Sequence, residues 1–478
     1  MRLRSGFVVV MLGLPCGSCS SPPSWDDTPD VSCTHDSCRA ECLAAGLEYG
    51  SCAGGTCHCT DAGDADAAAD ADADTDGSAE ADDGPERDDA QDADDVADAC
   101  DGIRVPVEER TGASAGVTCR RLSVEEVEPH LMYYSGDGEF VALLGGEDRP
   151  RPLWVLRRPT SCLRILDDAS VAGVSETSAG ESSVEGTRVA YYVAGVESAT
   201  GLEVWQLRIV DIAAGAPEVL VETRSERRSG QQASMDFPTL HYPWITWRDI
   251  RQANAYRWLP YAYNMETGEE RNLIPDPTSP EAGGSVMVDN DGQFVVFTGP
   301  YEDGSGSWAD NVFGVDIATG ARSYVAPRMA NQFWPSVTSD WIIWLDQRAH
   351  PECDYMVPCY TDVYGYRRAT GEVVPLVVAG DSMQGPWMDA RGDWVAYEDQ
   401  RDGTDVTRSL DREQDIYALH LPTRTEVRIT DWPGFEWNPQ VYDRHDGTFG
   451  VLLIQEIEYL HRIYRLWDCD LPEPAGGT

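Results

Sequence analysis

His350, Glu352, Cys353 and Asp354 crowd into five residues, an imidazole, a thiol and two carboxylates that could together hold a transition metal. Cys359 follows, and in an exported chain a loop disulfide Cys353–Cys359 is the simpler use of these thiols. Asp72-Ala-Asp74-Thr-Asp76-Gly77 opens like a calcium loop, but the twelfth position is Asp83 rather than Glu. Acids recur at every second or third position there, so the match defines no metal site. The eight histidines are scattered, with no His-x-Glu-x-x-His. Gly-x-Ser-x-Gly, phosphate-loop and dinucleotide-binding patterns are missing as well. The chain contains no lysine, which excludes Schiff-base and lysine-nucleophile chemistry. The expectation is a protein that is not an enzyme and needs no cofactor.

What does recur is one acid and one base. "WITWRDIR" (244–251), "WIIWLDQR" (341–348) and "WVAYEDQR" (394–401) place Asp249 with Arg251, Asp346 with Arg348 and Asp399 with Arg401 at the end of an apolar run. A repeated residue serves architecture before catalysis. Each Asp is expected to cap turn amides as the strand leaves the core, and each Arg to pair with a carboxylate of the next unit.

The elements that position these residues repeat seven times at 47–57 residue intervals. Each unit opens with a short, often Pro-marked strand and a tight turn. Its second strand is apolar throughout: "FVALLG" (140–145), "RVAYYV" (188–193), "WITW" (244–247), "FVVF" (294–297), "WIIW" (341–344), "WVAY" (394–397) and "FGVLLI" (449–454). A loop, a third strand, a hairpin such as Thr319-Gly320 and a fourth strand complete the unit. Continuous apolar runs are what strands buried on both faces require. Four short strands per unit predict an all-β fold, a seven-bladed β-propeller, with six or eight blades as alternative counts.

The pattern resembles the TolB-like propeller repeat, which pairs a Trp-x-Asp-x-Arg second strand with an Asp-Ile-Tyr third strand. Asp415-Ile416-Tyr417 and Asp362-Val363-Tyr364 match it best, and the resemblance spans about 129–470. It implies protein docking at the cell envelope.

In such a blade the loops between second and third strands share one face, and here they are long: 193–203, 249–260, 299–311, 346–362 and 399–415. Loops on a rigid frame commonly carry binding residues. The candidates are the aromatics Tyr256, Trp258, Tyr301, Trp308, Tyr355 and Tyr360, with the acids Asp303, Asp310, Asp354, Asp402 and Asp405. Arg391-Gly392-Asp393 spells an adhesion tripeptide but fills a hairpin-turn slot.

The N-terminus has Arg2 and Arg4, the apolar run "FVVVMLGL" (7–14), then "PCGSC" (15–19). Eight apolar residues are too few to span a bilayer, so 1–19 reads as an export signal. A cysteine directly after the run resembles the lipid-attachment site of bacterial lipoproteins, with Cys19 favoured over Cys16, which follows Pro15. Residues 31–59 hold six cysteines spaced C-x4-C-x3-C-x9-C-x4-C-x-C. Cys38 and Cys42 share a helix face and Cys57 and Cys59 a strand face. This resembles the cysteine-stabilised αβ motif of defensins and scorpion toxins, which implies Cys33–Cys52, Cys38–Cys57 and Cys42–Cys59. The cationic surface of those families is missing.

Residues 60–99 carry 17 acids against Arg87 and read as a disordered acidic linker. The whole chain has a formal charge of −47, and Cys100 onward still holds about −28. Such a surface repels nucleic acid and anionic lipid, leaving a lipid anchor as the expected membrane contact.

The last unit (100–478 being the propeller) runs out of chain before a fourth strand. The closing strand must come from "IRVPVE" (103–108) or "VTCRRLS" (117–123), and the spacing favours the latter. A disulfide from Cys469 to Cys119, or to Cys100 if the earlier segment pairs, would lock that closure. The expectation is an exported, extracytoplasmic, lipid-anchored monomer, in the periplasm or at the outer surface, that binds an envelope or surface protein through its loop face. The alternative is a polysaccharide-binding or polysaccharide-degrading propeller. A channel plugged by side chains would favour the first, and a funnel of convergent Asp, Glu, Arg and Tyr the second.

Overall fold

Each apolar run becomes the second strand of an antiparallel blade, and there are seven such sheets, five of four strands and two, the first and the last, of five. The computed structural model describes residues 49–53, 56–60 and 100–473, with interruptions at 129–130, 132, 147–149, 227–234, 252–257, 276–286, 303–307, 350–360, 379–383, 402–413 and 459–462. The chain divides into two units, Met1–Ala90 and Gln91–Thr478. In the first, Tyr49–Ala53 and Thr56–Thr60 form an antiparallel hairpin with Cys52 opposite Cys57. The expected helix, the three disulfides of the αβ motif, the lipidation cysteines and the acidic linker lie outside the described residues.

The second unit is a seven-bladed β-propeller. Every residue of Trp341–Asp346 and Trp394–Asp399 is buried, as strands sandwiched between neighbouring blades must be. Trp247 belongs to a core cluster that draws on blades 2, 3 and 4, and Trp344 packs with Val296 and Val312 of blade 4. In the third-to-fourth hairpins Gly268, Gly320 and Gly371 adopt φ of 71°, 68° and 72°, a left-handed turn position that disfavours a Cβ.

Closure uses both N-terminal segments, in different places. Thr118–Arg121 pairs with Ile463–Asp470 as the fourth strand of blade 7, and Glu109–Thr111 adds a fifth strand outside it. Ile103–Arg104 instead pairs with Cys162–Asp167 at the outer edge of blade 1. Cys469 lies opposite Cys119 and is bonded to it, joining positions 350 residues apart. Cys100 bonds to Cys162, so it is not the partner of Cys469.

Two of the expected long loops are corrected. In blade 2 the second and third strands, Arg188–Glu197 and Leu202–Asp211, extend into one long hairpin that turns at Gly201. In blade 4, Phe294–Glu302 and Trp308–Asp316 extend in the same way, so Tyr301, Trp308 and Asp310 lie on strands. In blade 2 Val193, Val196 and Val204 continue the β-branched run along the ladder, and in blade 4 the aromatics Tyr301 and Trp308 lie on the extended part.

Candidate functional site

The repeated Asp and Arg form an intrablade clasp. Backbone N–H groups of Arg251, Arg348 and Arg401 donate to Oδ1 of Asp249, Asp346 and Asp399 at 2.7, 2.8 and 2.7 Å. Among the described residues the guanidiniums find their carboxylates within their own blade and not in the next, contrary to the expectation from sequence. They pair with their own Asp, and Arg251 and Arg401 also with Glu270 and Glu426 on the fourth strand of their own blade. Each stacks over a third-strand tyrosine: Arg251 on Tyr261, Arg348 on Tyr364 and Arg401 on Tyr417, at 4.5, 3.7 and 4.7 Å. Two residues along the strand is too short a reach to leave the blade, and the ring offers a cation–π seat.

The bonds between blades come instead from the innermost strands. Ser135 and Ser182 hydroxyls meet at 3.2 Å (blades 1 and 2), and Ser183 accepts from the Leu240 amide at 2.9 Å (blades 2 and 3). Thr239 donates to the Val288 carbonyl at 2.9 Å, Asp289 accepts from the Val337 amide at 2.8 Å, Ser336 from Ala390 at 3.2 Å, and Asp389 from Val441 at 2.9 Å. The Tyr134 hydroxyl donates to the Asn438 carbonyl and completes the circle.

These same strands enclose a cavity of about 190 Å3 on the axis, lined from all seven blades. Its walls carry two levels. At one are Ser135, Ser183, Thr239, Asp289, Ser336 and Asp389. Two residues earlier on each strand, toward the face that bears the second-to-third loops, are Tyr133, Glu181, Phe237, Met287, Trp334 and Trp387. The first strands are bulged between Asp236 and Thr239, Phe333 and Ser336, and Gln384 and Met388. Phe237 and Trp334 sit in those bulges at φ of 49° and 50°, a strained backbone for an aromatic residue. The bulges aim half-buried rings at the cavity, where Trp334 and Trp387 meet with centroids 4.3 Å apart.

Burial dominates the electrostatics. It pushes Asp389 up to about 7, aided by the nearby charge of Asp289, which is itself raised by burial. The Ser336 hydroxyl lies between them, 3.0 Å from Asp289 and 3.4 Å from Asp389. Burial, then the charge of Asp236, raises Glu181 to about 7. Oε2 of Glu181 is buried with no hydrogen-bond partner among the described residues.

None of the described loop-face candidates lines this cavity. Trp258 is half-buried with Arg248 stacked on it at 4.3 Å, and Tyr301 packs edge-on against Tyr324 at 5.0 Å. Asp310 is raised to about 6 by burial. Trp308 starts a strand, and Tyr256, Tyr355, Tyr360, Asp303, Asp354, Asp402, Asp405 and the Cys353–Cys359 pair lie outside the described residues. The cavity residues went unnoticed in the sequence, although Phe237-Pro238, Trp334-Pro335, Pro386-Trp387 and Trp437-Asn-Pro439 repeat an aromatic beside a proline. Among the described residues no group of three His, Cys, Asp or Glu could hold a metal, and no helix is long and apolar enough to cross a membrane.

The propeller class stands also on comparison with solved structures. An oligogalacturonate lyase in complex with manganese is 15% identical with a TM-score of 0.50, covering 78% of this chain and 97% of its own. The β-propeller domain of the trilobed protease from Pyrococcus furiosus, with an open velcro topology, is 11% identical with a TM-score of 0.50, covering 73% and 95%. At these identities the likeness is one of fold alone. No family model and no curated protein matches the sequence.

Proposed function

We propose that this chain is an extracytoplasmic recognition propeller that binds a polysaccharide across the mouth of its axial cavity and does not cleave it. One observation carries the reading: a level of aromatic rings, Tyr133, Phe237, Trp334 and Trp387, stands above a level of carboxyls and hydroxyls in one cavity. Sugar rings present apolar C–H faces to aromatic rings and hydroxyls to polar side chains, and sites of this mixed kind suit them. Binding without cleavage agrees with the state of the lower acids, since Asp289 and Asp389 already accept amides of the following blades. The signal-like N-terminus supports export with lipid attachment at Cys19 or Cys16, and residues 31–59 would be a defensin-like stapled module carried ahead of a flexible acidic spacer.

Sedimentation of the full chain with insoluble polysaccharides tests the reading. Wild type should be retained, and Trp334→Ala/Trp387→Ala should be released with its melting temperature nearly unchanged. Equal retention of the two would place any glycan contact elsewhere.

A second reading, docking of an envelope protein on the loop face by a TolB-like monomer, draws on the long second-to-third segments that share that face. Cross-linking in envelope extracts would favour it if one protein were captured by wild type and by the Trp334/Trp387 variant alike.

A further inference from the structure

Building on the polysaccharide reading, we infer that the glycan this cavity selects bears free amines, with Glu181 Oε2 as the seat of an ammonium group. An acid-rich wall alone would not say so, because the lower acids serve the frame. Glu181 differs from them. It projects from the first strand of blade 2 into the cavity, it is 8% exposed, and Oε2 has no partner among the described residues, whereas Asp289 and Asp389 are committed to backbone amides. A buried carboxylate oxygen left unmatched is costly, and a ligand N–H removes that cost.

The surroundings decide the sign of the ligand. The cavity wall holds Glu181, Asp289 and Asp389 against Arg391. Asp236 and Arg248, beside Glu181, pair with each other through Nη2–Oδ2 at 2.7 Å, and Arg248 also covers the Phe237 ring at 4.4 Å. That pair is internally neutral and offers no free cation to an anion. Tyr133 and Tyr192 are the other titratable neighbours of Glu181; burial pushes both phenols up, so they stay neutral, and their hydroxyls hydrogen-bond the Glu181 carboxyl, leaving Oε2 as its unmatched oxygen. The net charge of about −28 from Cys100 onward favours cations over anions near the propeller. A uronate polymer meets net repulsion, three acids against Arg391 on the wall. A glucosamine-type polymer meets a carboxylate, neutral hydroxyls and the Trp334–Trp387 rings.

Calorimetric titration of the full chain near neutral pH with three hexamers separates the possibilities: glucosamine, N-acetylglucosamine and galacturonate. The expected result is at least about tenfold tighter binding of the amine hexamer than of its acetylated counterpart, the size of one partly desolvated charge pair, and no galacturonate binding. The amine preference should shrink between about 0.05 and about 0.5 M salt while binding of the neutral hexamer stays flat. Glu181→Gln should abolish the preference and spare binding of the acetylated hexamer. If that variant does not fold, the three wild-type titrations and their salt dependence decide. Equal or tighter binding of the acetylated or acidic hexamer, or a salt-independent preference, overturns the amine assignment and leaves glycan binding standing. Failure of all three to bind overturns both.

Discussion

Trp344 donates its indole N–H to Oδ2 of Asp346 at 2.7 Å, two residues farther along one buried strand, and Trp247 repeats this with Asp249 at 3.2 Å. The same Asp side chains take the turn amide and the guanidinium two residues on. One carboxylate therefore organises the indole, the turn and the stacked Arg where the strand leaves the core.

At Asp346 removing that carboxylate takes an acceptor from four donors, the Trp344 indole, the Arg348 amide and guanidinium and the Gln332 side-chain amide. Asp346→Ala should cost about 3–5 kcal/mol in urea unfolding, since Asp346 is fully buried and Arg348 loses its partner. Arg348→Ala should cost less, because the guanidinium is itself partly exposed.

Tryptophans at different depths should separate stability from binding. Trp247 and Trp344 are fully buried between blades, so truncation of either to Ala should cost about 3–5 kcal/mol. Trp334 is half-buried at the cavity, and its replacement should cost clearly less in thermal unfolding while it removes glycan binding. Equal losses of stability at all three positions would undo the assignment of the cavity as the binding surface.

The pH dependence of stability should run opposite to ordinary acid denaturation over part of its range. Burial raises Glu398 and Glu436 to about 8 from an ordinary 4.5, and Glu181 and Asp389 to about 7. A carboxyl raised in the folded state keeps its proton there after the unfolded chain has lost its own. Its contribution is complete below the unfolded value and is lost as pH rises through the folded one. The melting temperature should fall between about pH 5 and about pH 8. Glu398→Gln should flatten that slope by on the order of 1 kcal/mol per pH unit without loss at about pH 5. A flat or rising profile in wild type would contradict this.

Cys119–Cys469 closes a loop of 350 residues, and the chain-entropy model assigns such a link about 5 kcal/mol. Cys119→Ala/Cys469→Ala should lower the melting temperature and lead unfolding to begin at blade 7. Hydrogen exchange would show this as faster labelling of Thr118–Arg121 than of Trp341–Asp346. Uniform exchange across both strands would mean that strand pairing alone holds the ring.

How much of this was legible beforehand depended on period. Strands buried on both faces must be apolar at every position, so "WIIW" and "WVAY" announce themselves, and seven such runs count the blades. The spacing before Pro129 likewise pointed to 117–123 as the closing strand, and Cys119 to Cys469. These features need only local pattern and the rule that a sheet edge must be covered. The partner of each repeated Arg was decided by the tertiary structure, because Tyr261, Tyr364 and Tyr417 reach the guanidiniums only once the third strand has folded beside the second. The cavity was decided there too. Its wall takes three to five residues from each of seven segments spread from Tyr133 to Val441, and no window of sequence shows that Glu181 and Trp334 face one space. Bulges at Phe237 and Trp334 set which side chains point inward, and a one-residue register shift is a property of the paired strands, not of either strand read alone.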